Sequence, residues 1–314
     1  MEFLLEGLLG ITWKTVVMWA LGALLIYLAI RKEMEPTLLL PIGFGAILVN
    51  IPGVNFGALQ TLYDAGIANE LFPLLLFIGI GAMIDFGPLL SNPKLMIFGA
   101  AAQFGIFMTL CLASMFFDIN DAASIAIIGA ADGPSAIAVA IALGSKYLGA
   151  IMVAAYSYMA LVPIIQPPII KLLTTKKERR IRMEYKPATV SKRTRILFPI
   201  VILMIAALVA PGSAELIFFL MFGNLIRECG VLNSLSETAQ NVLANLVTIF
   251  LGISIASQME AEKFLAPETL LILGLGLFAF VFDTAGGFSG YMLLLPVNFY
   301  RSIKICSKHG KTIL

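Results

Sequence analysis

Charge is scarce in this sequence. Asp, Glu, Lys and Arg make up 13% of its 314 residues, about half their share in an ordinary soluble domain. With 60% hydrophobic residues and a mean hydropathy of +0.96, the chain cannot cover a water-facing surface, which excludes a soluble domain. The same figures exclude disorder, whose signature is low hydrophobicity. Histidine occurs once, at His309, and cysteine three times, at Cys111, Cys229 and Cys306. That is too few, too scattered, for a zinc cluster or a disulfide framework. A net charge of +2 speaks against a nucleic-acid partner. There is no complete GxxxxGKS/T phosphate loop and no GxGxxG fingerprint, so the chain does not pump by its own ATP hydrolysis. No nucleophile–base–acid set is visible. An integral membrane protein with many spans is what remains.

The charges that are present set the layout. Ten of the 21 basic residues lie between Lys171 and Arg195, against two acids, Glu178 and Glu184. The positive-inside rule puts this loop in the cytoplasm, where it is a solvated connector or a lipid- or partner-binding stretch. Long apolar runs surround it near Trp13–Ile30, Leu71–Leu90, Leu95–Phe117, Tyr147–Ile170, Ile196–Ala210, Ala239–Ala256 and Thr269–Pro296. Each approaches the ~20 residues that span a bilayer or is long enough to tilt. Three further runs, Pro36–Pro52, Ala122–Leu143 and Ala214–Ile226, are short or interrupted by Gly and Pro. Glu2 and Glu6 spoil the basic region that a cleavable leader needs, so the first span is expected to be retained. Irregular backbone survives at membrane depth only where protein or a watery cavity covers it. Transporters bind their coupling ions at such breaks, which makes the interrupted runs the place to look for chemistry.

Asp132, in IIGAADGPSAIAVAIAL, is the sharpest candidate. Gly133 and Pro134 follow it. Glycine tolerates unusual backbone angles and proline lacks an N–H, so a helix breaks here. A carboxylate beside freed carbonyls suits a small hard cation, and Ser135 adds a hydroxyl oxygen. The alternative is a loop acid that caps the helix starting near Ser135. Asp85, in GAMIDFGPLLSNPK, reads either as a second cation or proton site or as an interfacial cap. Asp283, in FVFDTAGGFSG, reads as a break within a span or as a span end turned to water. Tyr156 and Tyr158 share one apolar segment, and a buried tyrosine needs a partner for its hydroxyl; they face a cavity or pack in the core. Gln166 with Pro167-Pro168 marks another expected irregularity.

At these residues the chain resembles the beta subunit of the sodium-translocating, biotin-dependent decarboxylases acting on oxaloacetate, methylmalonyl-CoA, glutaconyl-CoA or malonate. The matching blocks are EPTLLLPIGFGAILVNIPG from Glu35, NELFPLLLFIGIGAMIDFGPLLSNPK from Asn69, GAADGPSAIA from Gly129, YSYMALVPIIQPPIIKLLTTKKER from Tyr156, and MFGNLIRECGVLNSLSETAQNVLANLVTIFLGIS from Met221. The resemblance implies an all-α, multi-pass protein of the inner membrane with about eight to ten hydrophobic segments, inverted repeats and the ion path between them. It implies a subunit that removes CO2 from carboxybiotin and exports sodium ions. The carboxybiotin arrives on a biotin-carrying carboxyltransferase alpha subunit, a small gamma subunit anchors the complex, and the chain is a homo-oligomer within it. Asp132 and Tyr158 are then the catalytic pair, and Asp132, Ser135 and Asp85 the sodium ligands. A sodium-coupled carboxylate transporter without enzyme activity would share the broken helices.

The implied organisation is a membrane half over 1–170 with the Asp132 segment, a basic cytoplasmic loop over 171–195, a second membrane part over 196–287, and an atypical tail over 288–314. Family members follow the T-A-G-G block with another span and an N-P-x-x-G stretch that completes the ion site. After Gly287 this sequence reads FSGYMLLLPVNFYRSIKICSKHGKTIL, and from Arg301 it is basic and polar. The sequence alone therefore leads one to expect an incomplete second repeat, and an inactive truncated remnant is a further reading of it.

Overall fold

The computed structural model describes residues 10–33, 35–54, 56–176, 179 and 190–308, of which 288–308 as backbone only. Glu2 and Glu6, most of the basic loop (177–178 and 180–189) and residues 309–314 therefore lie outside the described residues. Among the described residues there is no strand, as expected of a chain whose backbone must satisfy its own hydrogen bonds in lipid.

Among the described residues, twelve helices of eight or more residues carry the architecture: α1 Trp13–Lys32, α2 Pro36–Val49, α3 Gly57–Gly66, α4 Leu71–Met83, α5 Met96–Ala113, α6 Ile119–Ala126, α7 Gly133–Ala142, α8 Leu148–Leu173, α9 Lys192–Val209, α10 Ala214–Cys229, α11 Ala244–Ala256 and α12 Pro267–Lys308. Their ends follow local chemistry. Thr12 and Thr15 form a reciprocal capping box at α1, Pro36 sits in the first turn of α2, and Ser191 caps α9.

Among the described residues, three helical stretches are long and apolar enough to cross a bilayer alone: α1, the stretch Asn233–Ala256 that ends in α11, and Pro267–Gly287 of α12. Two bent pairs make up to two more spans, α3 with α4 at 62° and the two parts of α8, Leu148–Met159 and Ile164–Leu173, at 67°. Shorter apolar helices fill the remainder. Large apolar side chains such as Trp13, Leu24, Ile30, Phe44, Phe107 and Leu208 point outward, while others fill the interior. Apolar residues on both faces mark helices solvated by lipid, and the chain is a multi-pass membrane protein.

Two buried clusters form the interior. One joins α1, α2, α4 and α11 through Met18, Leu39, Ile42 and Leu251. The other joins α5, α6, α8 and α12 through Ala113, Ile125, Ile151 and Ile272. The short helix α7 belongs to both: Ile137 lies in the first, Ala136 and Ala140 in the second.

Several local expectations need correction. The Asp283–Gly287 stretch does not interrupt its span, since α12 runs unbroken from Pro267 to Lys308. Glycines alone cost helix stability without removing a hydrogen bond, and here Gly105 of α5 packs directly on the Asp283 backbone. The run Ala214–Ile226 is likewise one continuous helix. In α8 the bend falls between Met159 and Ile164, earlier than Gln166; Pro163 has no N–H to offer the Met159 carbonyl, which is sufficient cause. Leu71–Leu90 breaks at Ile84–Phe86, and a π-helical turn at Thr238–Leu243 precedes α11.

Candidate functional site

The Ala122–Leu143 run breaks as its sequence demands. After α6 the chain tightens into a 3-10 turn over Ile127–Ala130, Ala131 turns left-handed (φ 54°, ψ 33°), and α7 starts at Gly133. A left-handed alanine costs about 1–2 kcal/mol, so the surrounding structure holds this reversal. Its product is an extended Asp132 at the N-cap of α7. The Asp132 carboxylate accepts a hydrogen bond from the Ser135 hydroxyl at 2.6 Å and a longer one from the Ser135 N–H at 3.5 Å. The cap geometry is therefore real, and it does not use up the carboxylate, whose two oxygens offer more sites than these donors fill.

Tyr156 closes the site from α8. It is completely buried, and its ring lies against Gly133: a methyl group at that glycine would come within 2.6–2.7 Å of the Cε2 and Cζ ring atoms. The Tyr156 hydroxyl has no hydrogen-bond partner among the described residues. Such an orphaned group costs about 1–3 kcal/mol, a cost that a water, an ion or a proton-transfer partner would relieve.

Tyr158 points elsewhere. Its hydroxyl donates to the Leu273 carbonyl of α12 at 2.5 Å, and its ring packs at Gly276. These contacts tie Tyr158 to α12 and Tyr156 to the Asp132 segment. Ser135 is brought to Asp132; Asp85 is not joined to it by any described contact.

Asp85 stands where α4 ends. It accepts from the Gly87 N–H at 2.8 Å, and the Arg195 guanidinium lies 3.6 Å away and also reaches Glu228 at 3.4 Å. Sequence reading did not find the partners of this break. Asn224 of α10 donates to the Gly81 and Ile84 carbonyls at 3.3 and 2.9 Å, and Arg227 donates to the Met83 carbonyl. Cross-helix donors thus satisfy carbonyls that the end of α4 leaves free, each of which would otherwise cost several kcal/mol in lipid. Asn50 does similar work, bonding the Ala46 and Met259 carbonyls and the Ala261 N–H. An asparagine in an apolar stretch carries no sequence signal of what it will bond.

Among the described residues no group of three or more His, Cys, Asp or Glu side chains converges. A single carboxylate with hydroxyl and carbonyl oxygens suits a hard monovalent cation better than a transition metal.

Comparison with known proteins places these features in context. A profile of the family described as Na+-transporting oxaloacetate decarboxylase beta subunit matches residues 14–301. The methylmalonyl-CoA decarboxylase subunit beta of Veillonella parvula is 51% identical over 284 residues, covering 90% of this chain and 76% of that protein. The glutaconyl-CoA decarboxylase subunit beta of Acidaminococcus fermentans is 48% identical over 287 residues, with coverage of 90% and 76%. The oxaloacetate decarboxylase beta chain of Klebsiella pneumoniae is 44% identical over 347 residues, with 90% and 80%.

Proposed function

The chain belongs to the family of Na+-transporting oxaloacetate decarboxylase beta subunits, and on that premise we propose that it is the membrane subunit of a sodium pump. It removes CO2 from carboxybiotin delivered by a partner subunit and couples this step to sodium export. The observation that supports the reading most is the break at Ile127–Gly133, which sets one carboxylate, Asp132, at the start of a helix shared by both interior clusters.

In the reaction the C–N bond of carboxybiotin breaks, CO2 leaves, and the biotin nitrogen takes up one proton. Asp132 is the group that alternates: ionised it holds sodium with the Ser135 hydroxyl, protonated it lets sodium go. Tyr156 stands beside the segment with a hydroxyl that has no partner among the described residues, and Tyr158 links α8 to α12. Asp85, held by Arg195, is at most a peripheral ligand. Moving one charge against ~100 mV costs ~2.3 kcal/mol, so the site must open to one side at a time.

As a subunit of a multi-subunit decarboxylase, the chain is expected to meet a biotin-carrying carboxyltransferase and a small membrane gamma subunit, and to be present in more than one copy. The loop over 171–195, on the cytoplasmic side, joins a membrane half over 1–170 to the part over 196–287, with 288–314 as a tail. Inverted repeats are part of the same proposal.

The test is the complex reconstituted in proteoliposomes. Sodium uptake should follow decarboxylation and stop when avidin captures biotin. Uptake that follows a carboxylate gradient and ignores avidin would instead identify a sodium-coupled carrier. Tyr158→Phe in the same complex should lose about 1 kcal/mol of stability for its one hydrogen bond and keep its fold, with an altered sodium dependence of turnover. An unaltered dependence would leave Tyr158 as a clamp between α8 and α12.

A further inference from the structure

Beside the Asp132 break lies a cavity of about 400 Å³, bounded by the 3-10 turn and Ala131, by Gln166 and Ile170 of α8, and by Phe280, Asp283 and Thr284 of α12. Its position is informative at both ends. Ala131 is the chain neighbour of Asp132, and Ile170 is the neighbour of Lys171, where the basic loop begins. The cavity therefore lies between the residue that precedes Asp132 and the residue that precedes the basic loop.

Asp283 is the acid that lines it. One carboxylate oxygen, Oδ1, is buried without a hydrogen-bond partner among the described residues. Among the described residues, the charges on elements packed on α12 are engaged elsewhere or lie at helix ends: in the short helix Ala261–Phe264, Glu262 pairs with Lys14 and Lys263 with Glu260. Helix α5 carries no charged side chain, its only ionisable group being Cys111, and the 3-10 turn carries none. Helix α6 has only Asp121, which bonds the Ser145 hydroxyl and the Lys146 N–H. Helix α8 offers Tyr156 and Tyr158, and Lys171 at its exposed end. The backbone N–H groups of Ile106 and Gly105 lie against the carboxyl group but leave Oδ1 unfilled, and a carboxylate so incompletely paired away from water takes a proton or a cation instead.

We propose that Asp283 is a second cation station of the pump, taking up a proton or a sodium ion in exchange on the path between the basic loop and Asp132. The Gln166 amide and the Thr284 hydroxyl border the same space and offer oxygen ligands. The inference rests on the pump reading above, but its test does not depend on pump activity.

The purified complex is treated with dicyclohexylcarbodiimide, which attacks protonated carboxyls in apolar surroundings, and the modified peptide is read by mass spectrometry. Asp283 should be labelled in potassium medium. Sodium should slow labelling about tenfold once it stands about ten times above its dissociation constant, because only about one site in ten is then free. The Asp283→Asn complex should give no label at this peptide. In Asp132→Asn the sodium protection at Asp283 should persist, which separates this station from the Asp132 site. Absent labelling, or labelling that sodium leaves unchanged, would overturn the proposal even if the wild-type complex pumps normally. Failure of the wild type to pump, with labelling and protection intact, would overturn the pump reading and not the station.

Discussion

Asp132→Asn will leave a folded subunit that no longer couples decarboxylation to sodium movement. Asparagine is as good an N-cap as aspartate and can accept from Ser135 as the carboxylate does. The start of α7 therefore keeps its structural support. What is lost is the negative charge and the ability to carry a proton. Contacts to a charged group are worth about 1.5–3 kcal/mol, and each ~1.4 kcal/mol is a factor of about ten, so sodium-coupled turnover should fall by about tenfold to a hundredfold. The measurement is radioactive sodium uptake into proteoliposomes with CO2 release followed in parallel, normalised to the amount of folded complex from gel filtration. Coupled turnover near the wild-type value would remove Asp132 from the mechanism.

The second large effect concerns the crossing of α4 and α10. A methyl group at Gly81 would lie 1.9 Å from the Leu220 carbonyl oxygen, and one at Gly223 would lie 2.1 Å from that of Ile78. These are backbone atoms of packed helices and cannot swing aside. Gly81→Ala or Gly223→Ala must push the helices apart and with them Asn224, the donor that satisfies the Gly81 and Ile84 carbonyls. Overpacking costs about 1–3 kcal/mol, and each carbonyl stranded in the apolar interior adds about 1–3 kcal/mol. Both variants should show a large drop in melting temperature in detergent and a poor yield of assembled complex. Gly99→Ala and Gly274→Ala are the controls, because nothing lies within 4 Å of a methyl at either; both should behave like the wild type. A melting temperature for Gly223→Ala matching that of Gly99→Ala would show that the crossing has slack.

The break at Asp132 was legible in the sequence because its cause is local. Glycine and proline act on their own backbone, and a carboxylate in an apolar run is conspicuous wherever it falls. Membrane residence was legible for the same reason, since hydropathy needs no partner. The pairing of Asp85 with Arg195 was not, because Asp85 precedes the basic loop and Arg195 ends it, and only the packing of α9 on α10 and of α10 on α4 brings them together. Nor was the continuity of α12 through Thr284–Gly287, where the glycines serve the neighbour α5 and not a turn of their own. The contrast between Tyr156 and Tyr158 lies between these cases. Two residues apart on a helix means opposite faces, so the pair was bound to divide, but which ring would meet Gly133 and which Leu273 depends on how α8 is rotated in the bundle.

Helix α7 has ten residues and is wedged between two interiors, through Ile137 on one side and Ala136 and Ala140 on the other. A load placed on its first turn cannot be absorbed there. Any displacement of Asp132 along the helix axis drags apolar contacts in both clusters, so on the proposed reading an ion arriving at Asp132 is felt in both of them. A simple pore has no use for such a linkage, because ions should pass without disturbing the walls. A machine that must never let sodium slip back has every use for it: leakage would require the same displacement without the chemical step that drives it.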